Sequence, residues 1–362
     1  MPFRMLPLLF SFVFLCVGGS IAQISISGKV VSNETGLPIA GASVYFNNTS
    51  IGTSSNAAGE FSFSSINLMN TELVVSSIGY EVFILRPDAA TANGKYFLCR
   101  LQIKEQQLRE VLIMPDLMRR KWLNIFKNNF LGITEEAARS NVVNLADIYF
   151  TRGVDNNAFN AYSDTPLVII NRLLGYKVHF QLMEFSFNEA TGRTYFYGLT
   201  RYEELGDKKR WIKNRRQTYK GSTLHFFKAL LKDQLKEAGF DIYLVKKMSS
   251  GNAASAMSMA VPVTVKQILS IDTARPGFHR VTLADQLMVQ YRFDNSTKLY
   301  LRKKMLIHGN LPTGFRSFII PNTPFILIDQ NGILANPMSI EYSGFWIYEK
   351  AASLLPYNYE PG

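Results

Sequence analysis

Between Gly28 and Tyr80 the chain runs through three short apolar-alternating segments separated by clusters of Gly, Pro, Asn and Ser. That pattern predicts a small antiparallel β-sandwich. Its turns have mechanical reasons: Gly36 and Pro38 permit and then restrict φ between Asn33 and Pro38. Period-two geometry places Ala42, Val44 and Phe46 on one face and Ser43 and Tyr45 on the other. Asn56 is spaced to close an Asx-turn, and Gly59 to supply the positive φ that ends it. Phe61 and Phe63 then point the same way, and Gly79 breaks the run before Tyr80.

These residues resemble the carboxypeptidase regulatory-like domain, with its Gly-Xaa-Val opening, Gly-Xaa-Pro-Xaa-Xaa-Gly-Ala turn, Gly-Thr hairpin and late Gly-Tyr. Asn56 stands where that hairpin usually carries Asp, and either residue makes the turn. The resemblance covers roughly residues 24 to 113 and implies a prealbumin-type sandwich. It also implies a non-catalytic module, of the kind that accompanies zinc carboxypeptidases or precedes outer-membrane receptors; a module is not a reaction.

Residues 1–22 read as a secretory signal peptide, with Arg4 at the start, an apolar stretch from Leu6 to Val17, and Ser20 and Ala22 before the cleavage point. Cys16 is not read as a lipidation site, because Val13-Phe14-Leu15 lacks the small residue such a site requires. Removal of the leader leaves Cys99 alone, so no intramolecular disulfide forms; it shares a strand face with Phe97 and Leu101 and reads as a small buried apolar residue. Leu108, Val111 and Ile113 read as the last strand of the sandwich, and Pro115-Asp116 marks the boundary between the sandwich (23–114) and an α+β domain (115–362) with an antiparallel sheet. The net charge of +11 is divided unequally. Residues 23–114 hold six basic against seven acidic residues, residues 115–362 hold 32 against 21, and Arg4 of the leader supplies the last positive charge. A basic half of this kind suits an anionic partner; export makes lipid headgroups, lipopolysaccharide or acidic glycan better candidates than nucleic acid.

Helical spacing of Trp122, Ile125, Phe126 and Phe130 predicts a helix over 117–130 stopped by Gly132. An antiparallel meander is expected over about 142–203, with a β-bulge near Met183-Glu184, where the apolar phase slips. Two helices follow, Lys208 to Tyr219 and, from the N-cap Ser222, to about Ala238 with Gly239 as its stop. A strand over Phe240–Val245, a loop over Ser249–Ser258 and short strands to about Asp329 come next, with turns at 272–277, 294–297 and 309–314. Ser343 to Leu355 reads as a last helix stopped by Pro356. Asn171, Leu174 to Lys177, Glu203 to Leu205, Arg210-Trp211, Asn214-Arg215, Tyr219, Gly221-Ser222, His225-Phe226 and Gly239-Phe240 resemble exported proteins of the Bacteroidetes type of envelope. Those proteins carry the regulatory-like domain before an uncharacterised α+β region. That resemblance implies export and architecture and brings no reaction.

The residues offer no familiar chemistry. His179, His225, His279 and His308 lack zinc-peptidase spacing, no cysteine pair can hold a metal, and no nucleophile elbow or phosphate loop is present, so no cofactor or metal is expected. Glu135-Glu136 and Glu203-Glu204 are adjacent in sequence and diverge on a helix or strand. Trp211, Arg215 and Tyr219 are spaced by four, so the Arg215 guanidinium can stack between the two rings. Lys209, Lys213 and Lys220 are left outside, with Glu203 and Glu204 as carboxylates to offset the helix, while His225 sits where it can join the Ser222 cap. The expected role is non-enzymatic binding or assembly in the periplasm or at the outer membrane. The partner is an anionic envelope component or an outer-membrane protein, and the oligomeric state is left open. The alternative is a hydrolase acting on an envelope peptide or glycan. A third reading, a small outer-membrane β-barrel, is opposed by the helical run from Lys208 to Ala238 and the Pro-Gly terminus.

Overall fold

A computed structural model of the chain describes residues 24–65, 72–87, 94–104, 114–153, 157–245, 260–292 and 315–362. The leader and Cys16, the boundary segment as far as Ile113, the loop over Ser249–Ser258 and the turns at 294–297 and 309–314 lie outside these residues.

The first domain has strands β1 (Ile24–Ser32), β2 (Ser43–Phe46), β3 (Gly52–Ser54), β4 (Glu60–Ser65), β5 (Leu73–Ser76), β6 (Phe83–Leu85) and β7 (Tyr96–Leu101). They form two sheets, β4-β1-β7 and β3-β2-β5-β6, that enclose one core of Ile26, Val30, Val44, Phe46, Val75 and Cys99. Asn56 closes its turn as expected, its Oδ1 accepting from the amides of Ala58 and Glu60 at 3.0 and 2.8 Å, and Gly59 takes φ +76°. A Cβ at Gly59 would stand 2.5 Å from the Val30 carbonyl. The sandwich is not wholly antiparallel: β7 crosses from the other sheet and pairs parallel with β1. Burial pushes the Cys99 thiol up to about 11, in keeping with an inert apolar residue.

The rest of the chain contains α1 (Asp116–Phe130), α2 (Glu135–Ala138), β8 (Ser140–Val142), β9 (Ile148–Arg152), β10 (Ala158–Ser163), β11 (Leu167–Asn171), β12 (Tyr176–Asn188), β13 (Thr194–Glu204), α3 (Lys209–Tyr219) and α4 (Thr223–Leu231). Beyond them come β14 (Phe240–Val245), β15 (Ala260–Pro262), α5 (Val265–Ile268), β16 (Leu269–Ile271), β17 (Phe278–Val281), β18 (Gln286–Tyr291), β19 (Phe315–Pro321), β20 (Ile326–Asp329) and β21 (Ile340–Gly344). Among the described residues this α+β region holds two cores. In the first, α1 lies on the β8–β13 sheet: Trp122 stacks on Phe159 at 4.4 Å, Phe126 meets Phe185, and Phe130 meets Phe180 edge-on. Each such ring contributes about 1.5–3 kcal/mol by leaving water. The second core packs Phe226, Phe227 and Leu230 of α4 against β14, β18 and Trp346.

The sheet is antiparallel but not a meander. β12 is long enough to carry β13 on one edge and, on the other, β11 beside Tyr176–Phe180 and β10 beside Ser186–Asn188. The expected bulge is there, with a register shift between Leu182 and Glu184 that returns Phe185 to the core. α4 stops seven residues before its expected end at Ala238. Asp233 takes φ +53°, and the amides of Gln234 and Asp233 return to the carbonyls of Ala229 and Leu230, a Schellman closure. Gly239, at φ +90°, ends a second short turn in the same way. The expected helix over 343–355 is also corrected. Ile340–Gly344 is a strand, Gly344 at φ +71° breaks it, and a 3₁₀ turn over Phe345–Tyr348 follows.

Two long-range features tie the cores together. The sandwich docks on β13, where the Asn48 amide donates to the Thr200 carbonyl at 2.7 Å and the Tyr202 amide to the Thr49 carbonyl at 3.0 Å. Tyr45, expected on an outer face, is buried there with Val74 against Leu199. The tail then crosses every core. Ala351 and Ala352 close on Phe130 and Leu131, the Tyr357 amide donates to Asn48, Asn358 and Ser50 exchange two bonds, and Lys228 Nζ donates to the Tyr359 carbonyl and to Glu360, both at 2.7 Å.

Candidate functional site

α3 carries no acidic residue, and its two sides do different things. Trp211, Arg215, Thr218 and Tyr219 are buried, whereas Lys209 and Lys213 are exposed and Lys220 half-buried. The buried side is fastened to the β11–β12 turn. Trp211 Nε1 donates to the Arg172 carbonyl at 3.0 Å, Asn214 to Leu173 at 2.8 Å, and Arg215 to Leu174 and Gly175 at 2.7 and 3.0 Å. The remaining Arg215 nitrogen pairs with Glu204 at 2.9 Å. Gly175 has φ +71°, and a Cβ on it would lie 2.2 Å from the Trp211 ring, so glycine is required for the indole to sit there.

Arg215 does not stack between Trp211 and Tyr219. Its guanidinium lies 3.9 Å over Tyr176, because the turn carbonyls it satisfies draw it toward the sheet. Trp211 instead has Lys208 and Arg210 over its ring at 4.8 and 5.7 Å. Tyr219 packs on His225 and Tyr359. The two glutamates diverge as expected, but only Glu204 offsets the helix. Glu203 faces the opposite side of the sheet with Lys177, His179 and Arg201, and the last of these bonds is very short. Desolvation opposes ionisation of Glu203, and its partners His179, Arg201 and Lys177 together hold its carboxyl below the usual range. The sequence segments Leu174-Gly175-Tyr176, Glu204-Leu205 and Trp211 to Tyr219 therefore converge on one structural knot.

His225 joins the cap network. Ser222 Oγ accepts the His225 amide at 3.1 Å, and His225 Nδ1 accepts the Gly221 amide at 3.1 Å. Burial, with Lys220 nearby, pushes the imidazole down to about 4, so it is neutral at physiological pH. Beside it opens a cleft of about 410 Å³, lined among others by Arg216, Lys220, Glu237, Tyr291 and Arg292. Arg292 is held by Asp241 at 2.9 Å. The cleft joins the end of α3, the Gly239 turn, the end of β18 and the tail at Pro361. Sequence reasoning did not find it, because four distant segments meet there; the Gly239-Phe240 pair was the available signal.

Residues 26–113 match the model of the CarboxypepD_reg-like domain family, a non-catalytic regulatory domain. Among curated proteins none matches the chain. A solved structure from Bacteroides fragilis, described as a membrane-associated protein of unknown function, aligns over 82% of this chain and 89% of its own at 10% identity, with a TM-score of 0.18.

Proposed function

We propose that this chain, with a regulatory-like sandwich at residues 26–113, is a non-catalytic binding or assembly protein of the cell envelope. It acts in the periplasm or at the outer membrane, where its basic half holds an anionic component. The observation that supports this most is the two-sidedness of α3. Trp211, Arg215 and Tyr219 face the fold, whereas Lys209 and Lys213 are exposed on the side away from it. Exposed charges of one sign on a rigid helix attract an anionic surface over about a Debye length, ~8 Å at physiological salt. Lipid headgroups, lipopolysaccharide and acidic glycan share the required charge.

The hydrolase reading draws on His225 and Glu237 in one cleft. Three features count against it. The Nδ1 of His225 is occupied by the Gly221 amide, an imidazole titrating near 4 is a weak base at neutral pH, and no serine or cysteine is among the residues lining the cleft. The test is co-sedimentation with anionic phospholipid vesicles and with lipopolysaccharide. Lys209, Lys213 and Lys220 changed together to Gln should weaken binding about tenfold or more, with an unchanged melting temperature. Undiminished binding by that variant contradicts the proposal, and turnover of a glycan or peptide that His225→Asn abolishes favours the hydrolase.

A further inference from the structure

The cleft beside His225 has a chemistry of its own. Its walls combine the rings of Tyr219, His225 and Tyr291, with Tyr219 and His225 centred 4.7 Å apart and His225 and Tyr291 6.0 Å apart. The exposed members of the lining are Arg216, Glu237, Arg292 and Pro361, and Lys220 is half-buried. Two of the cations are already oriented. Arg216 donates to the Gly362 carbonyl, and Arg292 engages Asp241 and the Lys236 carbonyl. Because Nδ1 of the neutral His225 accepts the Gly221 amide, its proton resides on Nε2, so the ring offers a donor at any pH above its low titration point. The volume lies within the range of sites that hold small organic ligands, about 300–1,000 Å³.

We infer that this cleft binds one pyranose unit bearing an anionic group, such as a residue of an acidic glycan. A bare inorganic anion would leave the three rings and the acceptor Glu237 unused. An acyl chain would need a continuous apolar wall, which Ala238 and Pro361 do not supply. An acidic pyranose uses every part. Its acid group meets Lys220 and Arg216, its hydroxyls reach the acceptor Glu237 and the donor Nε2 of His225, and its slightly positive C–H face suits the negative faces of the rings. This deepens the proposed anion-binding role and rests on it. It also separates a discrete sugar site from the outer lysines of α3.

The experiment titrates the full chain with glucuronate, glucose 1-phosphate, glucose and inorganic phosphate, followed by saturation-transfer NMR and by the imidazole resonance of His225. Glucuronate, glucose 1-phosphate or both should bind and shift that resonance, and whichever binds distinguishes a carboxylate from a phosphate source. Glucose and inorganic phosphate should bind about tenfold more weakly or less. Lys220→Gln with Arg216→Gln should abolish acidic-sugar binding, while Lys209→Gln with Lys213→Gln should retain it and lose vesicle binding. No shift of the wild-type His225 resonance with either acidic sugar overturns the inference whatever the variants do, and so does inorganic phosphate binding as well as the sugars. If acidic sugars bind at the cleft while Lys209→Gln with Lys213→Gln leaves vesicle binding intact, the surface reading fails and the sugar site stands. If sugars fail while that variant loses vesicle binding, only the sugar site falls.

Discussion

The sandwich and the basic half differ in where their stabilising contacts come from. The sandwich core is made from residues between Ile26 and Leu101, joined by short turns. The basic half closes its first core with Ala351, Ala352 and Leu355, more than two hundred residues from Trp122 on α1, and covers Lys228 with the tail. A region closed locally tolerates change far from it. A region closed by a strap and by one buried arginine depends on both.

The largest expected effect is on Arg215→Ala. It strips the Leu174 carbonyl of its Arg215 donor, leaves the Gly175 carbonyl with only the Leu205 amide, and leaves Glu204 without its partner, which should lower unfolding free energy by about 3 kcal/mol or more in urea titration. Arg215→Lys should not rescue it, since an ammonium lacks the fork that reaches three acceptors. A loss under about 1 kcal/mol would mean that the knot is not what holds α3.

Next comes removal of residues 357–362. It deletes the bonds to Asn48 and Ser50 and uncovers Lys228, whose ammonium burial already disfavours. A loss of about 2–3 kcal/mol is expected, together with faster proteolytic separation of the sandwich from the rest. If the sandwich separates no faster, the tail does not couple the regions.

A smaller effect concerns pH. In the fold His225 takes its proton only near pH 4, whereas an unfolded histidine does so near 6.5. Between those values the unfolded chain binds more protons, so stability is complete above pH 6.5 and declines as pH falls through that window. Stability should drop by about 1–2 kcal/mol from pH 7 to 5, and His225→Asn, which keeps an acceptor near Gly221, should flatten that slope. An unchanged slope in the variant contradicts this assignment.

Much of the sandwich was legible because its cues are local: Asn56 and Gly59 make one turn, and Val44 and Phe46 alternate into one core. Tyr45 was not legible, because the surface that buries it lies on β13, more than 150 residues away. The same holds for Arg215. Helical spacing placed it on the inner face, but Tyr176 and the turn carbonyls that choose its position come from another strand. The end of α4 turned on Asp233 adopting a left-handed conformation, which an aspartate at that position does not announce. The lysine-bearing side of α3 could be read from charge and periodicity, whereas the cleft required the tail and β18 to be in place.

The central claim is that location, and not total charge, directs the basic half to an anionic surface. Two variants of the full chain remove three positive charges each: Lys209, Lys213 and Lys220 to Gln on and beside α3, and Lys29, Lys95 and Arg100 to Gln on the sandwich. Binding to anionic vesicles is measured for both across a range of about 0.05–0.5 M salt. The account predicts that wild-type binding weakens as salt rises, that the α3 variant loses about tenfold or more at low salt, and that the sandwich variant stays within about twofold of wild type. Equal losses in the two variants, or salt-insensitive binding that neither changes, would contradict it.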